Sequence, residues 1–114
     1  YQVNSTVAVS NWVVVGSHNP GTTIPFSASV PKYISVPYHT TSTDAANLRN
    51  ELMAAAGQSM PYPAGIVNVY NWNGTAWQRY GGGGIGQYNF VLTPGVGYQV
   101  NSTVAIAGWV PVHY

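Results

Sequence analysis

The two ends of the chain carry the same sequence. Residues 1–8, YQVNSTVA, recur letter for letter as residues 98–105, an offset of 97 residues. Extended to residue 15, the alignment holds 11 identities in 15 positions and adds Trp12, Val13 and Val15 against Trp109, Val110 and Val112. Chance does not supply such a match. The repeat predicts one full unit of about 97 residues preceded by the tail of another.

Each copy has the pattern of a half-buried strand. Apolar or small side chains at Val3, Ser5, Val7 and Val9 alternate with the polar Gln2, Asn4 and Thr6. This period of two is typical of a strand with one face in the core, and Trp12 begins a second apolar run. We therefore expect each copy to form a hairpin or a bent strand pair, with the bend at Asn11 and Gly108.

Between the copies, short strand patterns alternate with turn signals and surround one helix. Strands are predicted over residues 24–29, 33–36, 66–72, 76–80 and 88–92, with Asn73-Gly74 as a hairpin turn. A helix is predicted near residues 44–56, capped by a serine or threonine, with Asp44 near its positive end and Gly57 stopping it. Its apolar stripe comprises Ala45, Leu48, Leu52 and Ala55 or Ala56.

These patterns predict a mainly β fold. We expect a small β-sandwich or partly closed β-barrel with one short covering helix, formed by residues 24–114. Residues 1–23 form a separate N-terminal strand segment in this interpretation. Because the chain begins with Tyr1 and not with methionine, we expect a mature or excised product.

Charged residues are scarce, and their scarcity excludes several classes of partner. The chain has three Lys+Arg and two Asp+Glu in 114 residues, or 4%, where soluble domains average about 25%. Three scattered cations form neither a nucleic-acid interface nor a polybasic membrane patch. Every apolar run is far shorter than the roughly 20 residues that a membrane-spanning helix needs, so no membrane span is expected. A nearly neutral surface favours association with other copies.

The residues that usually carry catalysis are almost absent. Asp44 and Glu51 are the two carboxylates, seven residues apart on the predicted helix, and we expect a cap-proximal charge and a solvated side chain in place of an acid–base pair. The three histidines lie far apart, and zero cysteines exclude disulfides and thiolate metal sites. The glycine-rich stretch 81–86 lacks the Lys-Ser/Thr of a phosphate loop. We expect no enzyme, no metal and no cofactor.

Aromatic residues are abundant, with four Trp and nine Tyr. We interpret Tyr70, Trp72, Trp77 and Tyr80 as an aromatic face of the hairpin around Asn73-Gly74. Three roles remain open for this face: packing in the core, contact with another subunit, or stacking on sugar rings.

Three Asn-x-Ser/Thr patterns mark candidate glycosylation sites, at Asn4, Asn73 and Asn101. Asn4 and Asn101 lie inside predicted strands and belong to the repeated segment, which weighs against them. The protein is a possible glycoprotein by this pattern alone.

An ordered series of motifs resembles a known kind of module. PKYISVP at 31–37, TDAA at 43–46, VYNW at 69–72, FVL at 90–92 and PGVGYQV at 94–100 occur in that order. The series resembles the β-rich repeat modules of secreted bacterial and archaeal cell-surface proteins, over about residues 31–112. Val36 stands where those modules often have Leu, and Lys32-Tyr33 departs from their usual Asn. The resemblance implies a non-catalytic extracellular module, found in tandem or at protein ends.

Together these observations predict an extracellular, self-assembling structural subunit of a filament, sheath or surface layer. Copies are expected to join by strand addition through the N-terminal segment, with Tyr1, Val3, Val7, Trp12 and Val15 at the subunit contact. The alternative is a carbohydrate-binding or adhesive module of a larger secreted protein. The chain is expected to be either a free subunit or one repeat of a tandem array.

Overall fold

The computed structural model describes Thr6 and residues 23–112. This part of the chain contains seven elements in the order β1 (Ile24–Phe26), β2 (Lys32–Ser35), α1 (Ala45–Ala55), β3 (Val67–Trp72), β4 (Trp77–Tyr80), β5 (Gly97–Ser102) and β6 (Ile106–Trp109). The mainly β prediction is confirmed.

The strands form two antiparallel sheets. Four strands pair in the order β2-β5-β3-β4, while β1 and β6 form a separate pair. The helix α1 packs against β3 and β4 of the larger sheet and against β6 of the smaller one. The architecture is a small sandwich of two sheets with one covering helix, and the described residues form no closed barrel.

The C-terminal copy of the repeat lies at the centre of the fold. It supplies most of β5, which pairs with β2 on one side and β3 on the other. The bend that follows lies near residues 103–105, where the Ser102 hydroxyl donates to the Val104 carbonyl at 2.7 Å. Gly108 is inside β6 and does not form the predicted bend.

The N-cap of α1 is an aspartate and not the predicted serine or threonine. Asp44 is the N-cap, and its carboxylate accepts a hydrogen bond from the Asn47 amide at 2.8 Å. Ala45, Leu48 and Leu52 are buried as predicted. Of the two alanines predicted to complete the stripe, Ala56 is half-buried against the core and Ala55 is exposed. Gly57 ends the helix region with a φ of +74°, which confirms its expected left-handed conformation.

Residues 88–92 do not form the predicted strand. Val91 makes an isolated bridge with Asp44, and the Tyr88 amide donates to the Arg79 carbonyl at 2.9 Å. This segment runs between the start of α1 and the edge of β4. Its backbone forms hydrogen bonds with both, and a continuous strand ladder does not form.

The core lies between the inner face of the larger sheet, the helix and β6. Its central side chains are Leu48, Leu52, Met53, Val67, Val69, Val100, Ile106 and Trp109. Phe26 of β1 and Trp109 of β6 meet there with ring centroids 6.3 Å apart. Among the described residues, no helix is long and apolar enough to cross a membrane.

Candidate interaction sites

The larger sheet has two chemically different faces. Alternation along the strands sends Val67, Val69 and Val100 towards α1 and the core. The residues between them point the opposite way, on a side that we call the outer face. We define the outer face by the side chains of Tyr33, Asn68, Tyr70, Trp72, Trp77, Arg79, Gln99 and Asn101.

Two tryptophans stand side by side at the hairpin end of the outer face. Trp72 and Trp77 are directly opposed across β3 and β4. Their ring centroids are 5.5 Å apart at an interplanar angle of 58°, and each side chain is 51% exposed. The pair stabilises the hairpin by cross-strand packing, while half of its surface remains open for contact with a ligand.

A second row of side chains crosses all four strands of the sheet. The register aligns Tyr33 with Gln99, Gln99 with Tyr70, and Tyr70 with Arg79. Tyr33 is 68% exposed, Arg79 is exposed, and the other two are half-buried. With strands about 4.8 Å apart, the row is about 14 Å long.

Tyr80 does not belong to the aromatic face on which the sequence interpretation placed it. It is aligned with the buried Val69 and therefore lies on the inner side of the sheet, where it is half-buried. The reason is the period of two in a strand, since Trp77 and Tyr80 are three positions apart. Tyr33 and Gln99 belong to the outer face instead. Their position beside the hairpin follows from the strand order, which the sequence does not show.

The carboxylate of Glu51 links the C-terminal copy to the helix through hydrogen bonds. Glu51 Oε2 accepts hydrogen bonds from the Trp109 indole at 3.2 Å and from the Val112 amide at 3.3 Å. Its Oε1 accepts a short hydrogen bond from the hydroxyl of the buried Ser42. The sequence interpretation expected a solvated residue here, and the long separation along the chain gave no signal of this contact.

A buried arginine is the second feature that the sequence did not reveal. Arg49 is 4% exposed, and its guanidinium donates to the Pro63 carbonyl at 2.5 Å, while its Nε has no hydrogen-bond partner. Gly82 lies directly against this group, because a Cβ built there would be 2.3 Å from the Arg49 Cζ. The glycine-rich stretch therefore packs directly against the buried Arg49 guanidinium.

The candidate glycosylation sites differ in their surroundings. Asn73 is exposed in the hairpin turn, where its Oδ1 accepts from the Thr75 and Ala76 amides, each at 2.9 Å. Asn101 is half-buried in β5, and its Oδ1 has no hydrogen-bond partner. Asn4 and the proposed contact residues Tyr1, Val3, Val7, Trp12 and Val15 lie outside the described residues. Within the described residues, no three His, Asp or Glu side chains cluster as metal ligands would.

Searches with the sequence and with the fold match this chain to no family model, no curated protein and no solved structure.

Proposed function

We propose that the protein is an extracellular structural subunit whose N-terminal segment, residues 1–15, docks onto another copy. The resemblance to secreted surface modules and the shortage of charge favour this role. The observation that carries it is the behaviour of the same sequence at the other end of the chain, where it forms a central strand.

The home environment of residues 98–112 shows what this sequence needs. Tyr98, Val100, Ser102 and Trp109 are buried, and the backbone of β5 pairs on both sides. The N-terminal copy has the identical residues Tyr1, Val3, Ser5 and Trp12 at these positions. Exposing such an apolar face to water costs free energy, and burying it against a neighbouring sheet removes that apolar area from solvent.

The C-terminal copy fits its place better than the N-terminal copy would. Ile106 is 1% exposed, and the N-terminal copy has the smaller Val9 there. Asn11 corresponds to Gly108, where even a Cβ would lie 3.2 Å from the Thr23 Cβ. Residues 98–112 therefore fill this position in their own domain, and in the proposed assembly residues 1–15 pair with another copy.

Edge strands of another molecule offer residues 1–15 a partner for strand pairing. In the described part of the chain, β2 and β4 each pair with one neighbouring strand and form the two edges of the larger sheet. The Arg79 carbonyl of β4 is already engaged by Tyr88, whereas β2 carries the exposed Tyr33. Unpaired strand edges accept strands from other chains through main-chain hydrogen bonds. Head-to-tail addition of a strand is a heterologous contact, which propagates into a filament unless the rotation between copies closes a ring.

The test compares two substitutions that add the same charge to adjacent residues. Val3 corresponds to the buried Val100, and Gln2 to the half-buried Gln99 of the outer face. We expect the full chain to form high-molecular-weight species in light scattering and electron microscopy, Val3→Asp to abolish them, and Gln2→Glu to leave them. Deleting residues 1–15 should leave a folded, monomeric domain.

Two results would contradict the proposal. One is normal assembly of the chain lacking residues 1–15. The other is a full-length protein that stays monomeric at every concentration tested, which would leave the alternative of a solitary secreted module.

A further inference from the structure

We propose that the outer face of the larger sheet is a binding site for an acidic polysaccharide. This inference concerns a different surface from the terminal segment and does not rest on the proposed assembly. It follows from the side chains that the register aligns on that face and from where the carboxylates of the chain lie.

The aromatic part of the face suits the apolar faces of sugar rings. Trp72 and Trp77 are both half-exposed, and Tyr70 lies next to Trp72 along β3 on the same side. Residues two apart on a strand are separated by about 6.7 Å, so the rings form a continuous surface. Exposed aromatic rings on a strand are rigid, because strand pairing fixes their backbone and only two side-chain torsions remain free.

Polar groups lie beside these rings at the spacing of the strands. Gln99 stands between Tyr33 and Tyr70 in the cross-strand row, and its amide both donates and accepts hydrogen bonds. Tyrosine hydroxyls at Tyr33 and Tyr70 do the same. An extended chain of hydroxyl-bearing rings laid along this row, about 14 Å long, meets an aromatic ring on β2 and β3, an amide on β5 and the Arg79 guanidinium on β4.

The charge of the face identifies the class of polysaccharide. Arg79 is the one charged side chain among the eight that define the outer face, and it is exposed at the end of the row. Its guanidinium matches a carboxylate in a bidentate geometry. A uronic acid unit supplies that carboxylate together with hydroxyls for the amides.

A second copy of the chain does not complement Arg79 in the same way. The chain has two side-chain carboxylates, Asp44 and Glu51. Asp44 caps the helix, and both oxygens of Glu51 accept hydrogen bonds from within the domain. Because both carboxylates already accept hydrogen bonds within their own domain, the observations favour an acidic glycan over a copy as the occupant.

The experiment titrates the full-length chain with hexagalacturonate, and with cellohexaose as the neutral comparison, while tryptophan fluorescence is recorded. We expect saturable binding of hexagalacturonate. Trp72→Ala and Trp77→Ala should each weaken it about tenfold or more, whereas Trp72→Phe should retain most of it. Arg79→Gln should remove the preference for the acidic sugar. Tyr38→Ala, at an exposed tyrosine outside the sheet strands, is the matched control.

Three outcomes would overturn the proposal. The first is the absence of any saturable change with hexagalacturonate. The second is binding that the two tryptophan variants leave unchanged although circular dichroism shows them folded. The third is a fluorescence change that follows protein concentration without sugar and disappears in Trp72→Ala, which would assign the face to a contact between copies.

Discussion

At the scale of single residues, the most unusual arrangement is the buried Arg49 beneath Gly82. Taking a guanidinium out of water is costly, and here it is in contact with a backbone carbonyl and not with a carboxylate. Gly82 makes the contact possible in two ways, since its φ of +81° is in the left-handed region and no side chain separates its backbone from the guanidinium. The glycine is required by space as well as by conformation.

Gly82→Ala should therefore destabilise the fold more than an ordinary glycine substitution. The matched control is Gly84→Ala in the same loop, because Gly84 has a φ of +86° but nothing within 4 Å of its Cβ position. We expect Gly84→Ala to cost about 1–2 kcal/mol of unfolding free energy from backbone strain alone. Gly82→Ala should cost at least about 1 kcal/mol more, measured by urea denaturation. Equal losses in the two variants would contradict a steric role for the contact.

At the scale of elements, the sequence predicts what depends on local spacing. The strands near residues 66–72 and 76–80, the turn between them and the helix stripe at Ala45, Leu48 and Leu52 follow from periodicity and turn chemistry. The order β2-β5-β3-β4 does not, because it depends on contacts between distant segments. For the same reason the outer-face row from Tyr33 to Arg79 and the hydrogen bonds of Glu51 were not predictable.

The repeated segment raises a further question at this scale, which is whether the N-terminal copy can form β5 and β6 when the C-terminal copy is removed. Ile24 is aligned with Trp109 in an antiparallel pair. Trp12 in the position of Trp109 would therefore lie beside Ile24, and residues 16–23 are long enough for the connecting loop. The donors to Glu51 are also retained, since Trp12 and Val15 correspond to Trp109 and Val112.

We expect a chain truncated after residue 97 to fold, with its N-terminal copy in place of residues 98–112. Its unfolding free energy should be lower than that of the full chain by about 2 kcal/mol, because Val9 and Asn11 fit less well than Ile106 and Gly108. Near-ultraviolet circular dichroism and urea denaturation provide the measurement. A chain of residues 16–97, which lacks both copies, is the control and should not fold. Equal disorder in both truncated chains would show that the copies are not interchangeable.

At the scale of the whole molecule, the small number of charges determines how the protein interacts with other molecules. The net charge is +1, and the proposed contact side chains at the N-terminus are apolar or aromatic. Long-range repulsion between copies is weak, and burial of apolar surface is left as the main driving force for the proposed association.

Assembly should therefore depend little on ionic strength. Between roughly 0.05 and 0.5 M sodium chloride the Debye length falls several-fold, which weakens contacts between surface charges. We expect the concentration at which assemblies appear to change by less than about twofold over this range, and to fall in sodium sulfate, which strengthens apolar burial. Sedimentation at each salt concentration measures it. Dissolution of the assemblies by sodium chloride would indicate that ion pairs hold the copies together.

The tilted pair formed by Trp72 and Trp77 has an optical consequence. Two indole rings 5.5 Å apart and inclined by 58° have coupled electronic transitions, and such coupling gives a paired positive and negative band in the ultraviolet circular dichroism. Replacing either ring by phenylalanine should remove the couplet and leave the buried core intact. The hairpin thus contains its own spectroscopic reporter, and a ligand that reorients the rings would change its sign or amplitude without any added label.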